Sequence, residues 1–240
     1  MDSIGANLQA VRARIARAAA AAGRDVRDVA LIAVSKTFSA DAIRAAYAAG
    51  QRAFGENYVQ EALPKIAALA DLSLEWHFIG PIQSNKTRAI AEHFDWAHGI
   101  DRLKIAERLS AARPAGRAPL QVCIEVNLGG ETSKGGVAPA EAPALARALR
   151  DLPGIRLRGL MAIPPASNDT AQQHRDFARL RRLRDEMAAA GAGLDTLSMG
   201  MSNDFEAAIA EGATLVRIGT AIFGERRTTE PSRRTDAEKI

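Results

Sequence analysis

The chain has 240 residues and a mass of 25.5 kDa; with 47% hydrophobic and 25% charged residues it excludes wholesale disorder and suits a single globular unit of the length of a (β/α)8 barrel. No apolar run approaches the roughly 20 residues that cross a bilayer, and Met1-Asp2-Ser3-Ile4-Gly5 is not the basic-then-apolar start of a secretory leader, so the expected location is cytoplasmic and no membrane partner is expected. The net charge of +4 invites a nucleic-acid reading, but the excess lies in Arg226, Arg227, Arg233 and Arg234 and on the helix face over 179–184, and 5% aromatics leave few stacking platforms, so no nucleic-acid partner is expected.

In chain order, Ile4, Leu8, Val11, Ile15, Ala18 and Ala22 recur on one helix face, with Ser3 as a candidate N-cap and Gly23 as a stop. An amphipathic helix therefore precedes the first strand. Residues 29–35 are a short branched-aliphatic run that reads as a strand buried on both faces and closed by Lys36. An Ala-rich helix over 39–49 stops at Gly50, and a strand over 51–54 leads into Gly55-Glu56-Asn57. Helices over 58–69, 84–93 and 102–112 then alternate with strands over 75–79 and 94–98. The second half repeats the pattern: strand 120–127, a polar glycine-rich loop over 129–136, helix 139–150 and strand 155–161. A long helix over 170–190, striped by Phe177, Leu180, Leu183 and Met187, precedes strand 196–199, helix 203–211 and strand 214–218. Eight βα units predict one closed α/β barrel of the TIM type over 1–227, with an extra N-terminal helix, rather than a doubly wound sheet. The polar stretch 228–240 reads as a disordered tail.

Lys36 falls at the carboxyl end of the first strand, the end at which such folds do their chemistry. Ser198-Met199-Gly200-Met201-Ser202 closes the seventh strand and opens a helix, and its hydroxyls, glycine and uncapped amides suit a phosphate. Gly219-Thr220 follows the eighth strand, and the loops after strands seven and eight often build the phosphate site of a barrel. Arg217 stands in an apolar strand where an unpaired guanidinium is costly to bury, so it either meets a ligand at the barrel mouth or pairs with an acid. A lysine, a phosphate cradle and a cation at one mouth suit an aldehyde cofactor that carries a phosphate and binds a lysine amine as a Schiff base. Pyridoxal phosphate is that cofactor, and no metal is called for. Cys123 is the only cysteine, which excludes an internal disulfide; its apolar surroundings mark it as a buried, inert thiol.

Ile32-Ala33-Val34-Ser35-Lys36, Phe54-Gly55-Glu56-Asn57-Tyr58, Trp76-His77-Phe78-Ile79-Gly80 with 83–86, and 198–202 with 217–224 resemble the pyridoxal phosphate homeostasis protein family, also called the YggS or proline synthase co-transcribed family. The resemblance runs from about residue 29 to residue 224. It implies a single barrel similar to the amino-terminal domain of alanine racemase. It also implies that Lys36 holds the cofactor, that Ser198, Ser202, Gly219 and Thr220 with the amides of Met199 and Gly219 bind the phosphate, that Arg217 meets the pyridine nitrogen and that Asn57 lies at the cofactor's edge. It assigns no role to His77, Asn85 or Lys134, and for His77 a packed, hydrogen-bonded strand residue is preferred to a base.

An arginine at the pyridine nitrogen disfavours protonation there. A racemase also needs acid/base groups on both faces of its substrate, and this sequence has only Tyr47 and Tyr58 and no visible further domain to supply one. The expectation is a non-catalytic, monomeric carrier that buffers pyridoxal phosphate, delivers it to pyridoxal phosphate-dependent apo-enzymes and so sets vitamin B6 and amino-acid balance. The rival readings are a weakly active amino-acid racemase, a Schiff-base aldolase acting on a sugar phosphate and a basic nucleic-acid binder.

Overall fold

The computed structural model describes residues 2–130 and 135–225. The tail over 228–240 and the centre of the 129–136 loop, Lys134 included, lie outside the described residues. Helix α1 (Asp2–Ala21) buries Leu8, Val11, Ile15 and Ala19 along one stripe, as the helical spacing predicts. Asn7 Nδ2 donates to the carbonyl of Ile222 at 3.0 Å, which ties this helix to the last turn of the barrel.

The strands are β1 (Ala30–Val34), β2 (Ala53–Glu56), β3 (Glu75–Phe78), β4 (Trp96–Ile100), β5 (Leu120–Glu125), β6 (Ile155–Met161), β7 (Thr196–Ser198) and β8 (Leu215–Ile218). Each pairs in parallel with the next, and β8 returns to β1 with Arg217 opposite Ile32, so the expected (β/α)8 barrel closes. Helices α2 (Ala40–Ala48), α3 (Val59–Ala68), α4 (Thr87–His93) and α5 (Leu103–Ala112) connect the first half. Helices α6 (Ala142–Leu149), α7 (Thr170–Met187), α8 (Phe205–Ala210) and α9 (Thr220–Phe223) serve the second. Among the described residues no helix is long and apolar enough to cross a membrane.

The boundaries depart from expectation where side chains override propensity. Strands β2 and β4 each lie two residues later than the sequence predicts. Gln51 is not part of β2: its Nε2 donates to the carbonyls of Leu31 at 2.7 Å and Ala53 at 2.8 Å, capping the foot of two strands. Phe94 ends α4 and packs edge-on against Phe78 before β4 begins. The predicted helix over 170–190 ends at Met187 and relaxes into a π turn over Ala188–Ala192, an alanine and glycine stretch with no bulk to hold the α geometry.

Phe54, Phe94, Phe177 and Phe205 are fully buried in the shell between strands and helices, where each side chain contributes about 1.5–3 kcal/mol. Inside the barrel, strand alternation gathers Ile32, Trp96, Cys123, Met161 and Leu215 into one apolar layer near the amino-terminal end. Two residues further along β4 and β8, His98 and Arg217 are buried, and so are His77 and Ser198 on the neighbouring strands. The shell thus supplies most of the apolar burial, and the upper interior is left polar.

Candidate functional site

Strand β1 delivers Lys36 to the carboxyl end of the barrel, and helix α3 fixes the turn that carries it. The Lys65 amine donates to Glu56 Oε1 at 2.9 Å, to Glu56 Oε2 at 3.1 Å and to the carbonyl of Ser35 at 3.0 Å. The Ser35 hydroxyl donates to the same carboxylate at 2.6 Å. Burial pushes the Glu56 carboxyl above its ordinary range, while the bonds from Ser35 and Lys65 pull it down. Thr37 follows at φ 69°, a left-handed conformation unusual for a β-branched residue, with its amide donating to Glu61 Oε2 at 3.1 Å. Phe38 stacks on Phe223 of α9 with centroids 5.0 Å apart, which joins the Lys36 turn to the end of that helix.

Facing Lys36 are the turns after β7 and β8. Gly200 sits at φ 91°, and a Cβ there would come within 2.6 Å of the Ala208 methyl, so only glycine fits. Its carbonyl accepts the Arg217 amide at 3.0 Å. The Asp204 carboxylate accepts the Met201 amide at 2.6 Å. In α9 the amides of Ile222 and Phe223 close onto the Gly219 carbonyl, leaving the amides of Gly219 and Thr220 ahead of the first bonded turn.

A cavity of about 170 Å³ lies between these turns and opens to solvent. Lys36, Asn57, Ser202, Arg217, Gly219 and Thr220 line it, with Val34, Phe38, Ile79, Ile163 and Met201 as apolar wall. A larger groove of about 250 Å³ runs over the outer wall between α6 and α7, beside Arg147 and Arg150, and offers neither a lysine nor a hydroxyl.

The Arg217 guanidinium is 4% exposed, and among the described residues no carboxylate comes within ion-pair distance of it. It donates to Ser198 Oγ at 2.6 Å and to the carbonyl of Ala162 at 3.1 Å. Burial pulls its pKa down to about 10, against the opposing fields of Asp204, Cys123 and Glu125, so it stays cationic at neutral pH. A buried cation without a counter-ion is costly unless something anionic completes it. Asn57 Oδ1 is also buried without a partner. This end of the barrel is chemically incomplete in a way that an anionic, hydrogen-bonding ligand would satisfy.

A family model described as the alanine racemase N-terminal domain matches residues 6–227. A Pyridoxal phosphate homeostasis protein of Pseudomonas aeruginosa is 62% identical over 232 residues, covering 97% of this chain and 100% of the relative. The chain belongs to the pyridoxal phosphate homeostasis protein family. PipY of Synechococcus elongatus, solved with PLP bound, is 43% identical with a TM-score of 0.81, covering 92% of this chain and 100% of that one. An alanine racemase of Corynebacterium glutamicum, 20% identical with a TM-score of 0.68, covers 96% of this chain and 63% of that one and shares the fold.

Of the residues that the resemblance to the pyridoxal phosphate homeostasis family singled out, six meet at the cavity: Lys36, Asn57, Ser202, Arg217, Gly219 and Thr220. Ser198 and Met199 do not. The Ser198 hydroxyl is fully buried between Arg217 and His98, and the Met199 amide donates to the Leu215 carbonyl at 3.1 Å within the sheet. Their placement follows from the pleat: β7 ends at Ser198, so that hydroxyl points into the barrel, and the open turn begins two residues later, at Gly200. His77 is buried and hydrogen-bonded, as the packed reading expects. Glu56, Lys65 and His98 carried no signal of their own in the sequence; period-two alternation anchored on Arg217 is what would have found His98.

Proposed function

We propose that this chain is a pyridoxal phosphate binding protein of cofactor homeostasis that holds the cofactor on Lys36 as a Schiff base. The carrying observation is the buried, unpaired Arg217 cation lining one cavity with Lys36, Ser202, Gly219 and Thr220. The cofactor supplies an aldehyde that condenses with a lysine amine, and a phosphate that hydroxyls and free amides can hold. Lys36 offers the amine. Ser202 and Thr220 offer hydroxyls, with the amides of Gly219 and Thr220 beside them. Asn57 Oδ1 offers an acceptor at the cavity edge, and Arg217 would face the pyridine nitrogen, where its fixed positive charge disfavours a proton. Val34, Phe38, Ile79 and Ile163 give the cavity an apolar wall. That PipY carries PLP and that the Pseudomonas relative is named for its homeostasis supports the reading.

We infer further that the role is storage and delivery to apo-enzymes inside the cell by a monomer, rather than turnover of an amino acid. Racemisation needs a proton-transferring group on each face of the substrate. Among the described residues of the cavity wall, Lys36 is the one side chain of a type suited to that work.

The test is an absorption spectrum of purified protein with added pyridoxal phosphate, followed by borohydride reduction and peptide mapping, with Lys36→Ala alongside. A band that appears in the parent, maps to the Lys36 peptide and is lost in the variant is the expected result. No band, or a label on another lysine, overturns the assignment. Incubation of the loaded protein with L-alanine in heavy water should leave the Cα hydrogen in place, and sustained exchange would reinstate the racemase reading.

A further inference from the structure

A single file of polar side chains crosses the interior of the barrel from the cavity to the opposite mouth. Arg217 donates to Ser198 Oγ at 2.6 Å, Ser198 Oγ lies 2.8 Å from His98 Nδ1, and His98 Nε2 lies 3.0 Å from His77 Nδ1. His77 Nε2 has only the Glu75 carboxylate to turn to, at 3.4 Å. Glu75 opens β3, so it stands at the amino-terminal mouth, with its side chain half exposed and the Trp96 indole donating to it at 2.5 Å. The four inner residues are all at most 4% exposed, so no water competes along the file.

The two ends dictate its polarity. Arginine can only donate and an ionised carboxylate can only accept. If His77 turns its Nε2 proton to Glu75, its Nδ1 is bare and must accept from His98 Nε2. His98 Nδ1 is then bare and must accept the Ser198 hydroxyl proton, and the Ser198 oxygen is left to accept from Arg217. Every proton has one place, and every bond in the file points the same way. Burial holds the His98 imidazole neutral, and the nearby His77 ring holds the Glu75 carboxyl below its ordinary range; both agree with that arrangement.

We propose that Ser198, His98, His77 and Glu75 form a one-way hydrogen-bond relay that sets the orientation of the Arg217 guanidinium, so that Glu75 is a positioning residue acting on the cavity from the far mouth of the barrel. The relay explains why the Ser198 hydroxyl is withheld from the cavity and why two histidines meet in an interior that aliphatic side chains could fill. It rests on the cofactor reading only for its effect on bound ligand. Removing Glu75 lets His77 move its proton to Nδ1, which then opposes His98 Nε2–H; His98 must switch tautomer in turn, and Ser198 loses its fixed direction.

The experiment compares the parent with Glu75→Ala and Glu75→Gln, substitutions at a half-exposed site remote from the cavity. The first readout is the tautomer of His77 and His98 by nitrogen NMR on the apo-protein. Both rings should carry their proton on Nε2 in the parent and in Glu75→Gln, whose amide oxygen still accepts, and His98 should lose that preference in Glu75→Ala. The second is the absorption band and affinity of added pyridoxal phosphate, which Glu75→Ala should shift and weaken by about three- to tenfold, in line with losing one link of a buried polar network, and which Glu75→Gln should restore. Parent tautomers on Nδ1, or a Glu75→Ala protein with unchanged tautomers and unchanged affinity, overturn the relay. A parent that takes up no pyridoxal phosphate overturns the cofactor reading instead, and the apo-protein tautomers then decide the relay alone.

Discussion

Lys65 grips both Glu56 and the backbone of the residue before Lys36: its amine lies 2.9 Å from Glu56 Oε1 and 3.0 Å from the Ser35 carbonyl. The Glu56 side chain has no exposed surface and that of Lys65 only 11%, so the pair is a buried one whose loss strands a carboxyl. Lys65→Met should destabilise the fold by about 3 kcal/mol, the cost of removing one partner of such a pair. Burial already holds the Glu56 carboxyl above its ordinary range, and losing Lys65 raises it further. A carboxyl with a raised folded-state value loses stability as pH rises through that value. Urea midpoints should therefore show a larger deficit for the variant in alkaline than in mildly acid buffer, and an equal deficit in both would refute a stranded carboxyl.

Thr37 carries the other strain in this turn. It is exposed and β-branched at φ 69°, so its side chain gains little from packing to offset the left-handed backbone. Asparagine tolerates that conformation without the added chain entropy of glycine. Thr37→Asn should raise stability by about 0.5–1 kcal/mol, seen as a higher melting temperature, and leave uptake of pyridoxal phosphate unchanged. A lower melting temperature would mean that the threonine side chain holds the turn in some other way.

How much of this was legible in the sequence depended on which face of a strand a residue occupied. The aliphatic runs of β1, β5 and β8 announced buried parallel strands, and their alternation with helices predicted closure into the barrel that is found. That Lys36, Ser202, Arg217, Gly219 and Thr220 meet at one cavity was legible because strand ends and small-residue turns carry their own signature. That Ser198 and Met199 do not line the cavity was not legible, since a run of small hydroxylated residues does not disclose where the last ladder bond falls. The clamp by Glu56 and Lys65 and the file through His98 depend on barrel closure, and no local pattern encodes them.

Cys123 lies in the apolar interior layer, and burial pushes its thiol up to about 12. Folding therefore resists ionisation of this thiol, and stability is lost as pH climbs from roughly 8.5, the unfolded value, toward the folded one, by about 1.4 kcal/mol per unit. Cys123→Ala should begin less stable at neutral pH, because it leaves a small void, and should close the gap by about that amount per unit of pH above 8.5. Other alkaline titrations are common to both proteins and cancel in the difference. A gap that stays constant with pH would show that the thiol ionises as freely in the fold as in the open chain.

Gly200 joins the fold to the cavity most directly. Its φ of 91° and the 2.6 Å that would separate an added Cβ from the Ala208 methyl leave no room for a side chain, and Phe205 Cα closes the other side at 3.0 Å. Gly200→Ala must therefore shift the turn that holds Met201 and Ser202 against the cavity, and must disturb the Gly200 carbonyl that accepts the Arg217 amide at 3.0 Å. Strain of this kind costs on the order of 1–3 kcal/mol. Because the displaced residues include the Ser202 hydroxyl, affinity for pyridoxal phosphate should fall by about tenfold or more even where the variant remains folded, a loss of at least about 1.4 kcal/mol of binding. Titration of the folded variant by absorption measures this apart from its stability. Parent-like affinity in a destabilised Gly200→Ala protein would remove the turn after β7 from the phosphate site and leave the phosphate to Gly219 and Thr220.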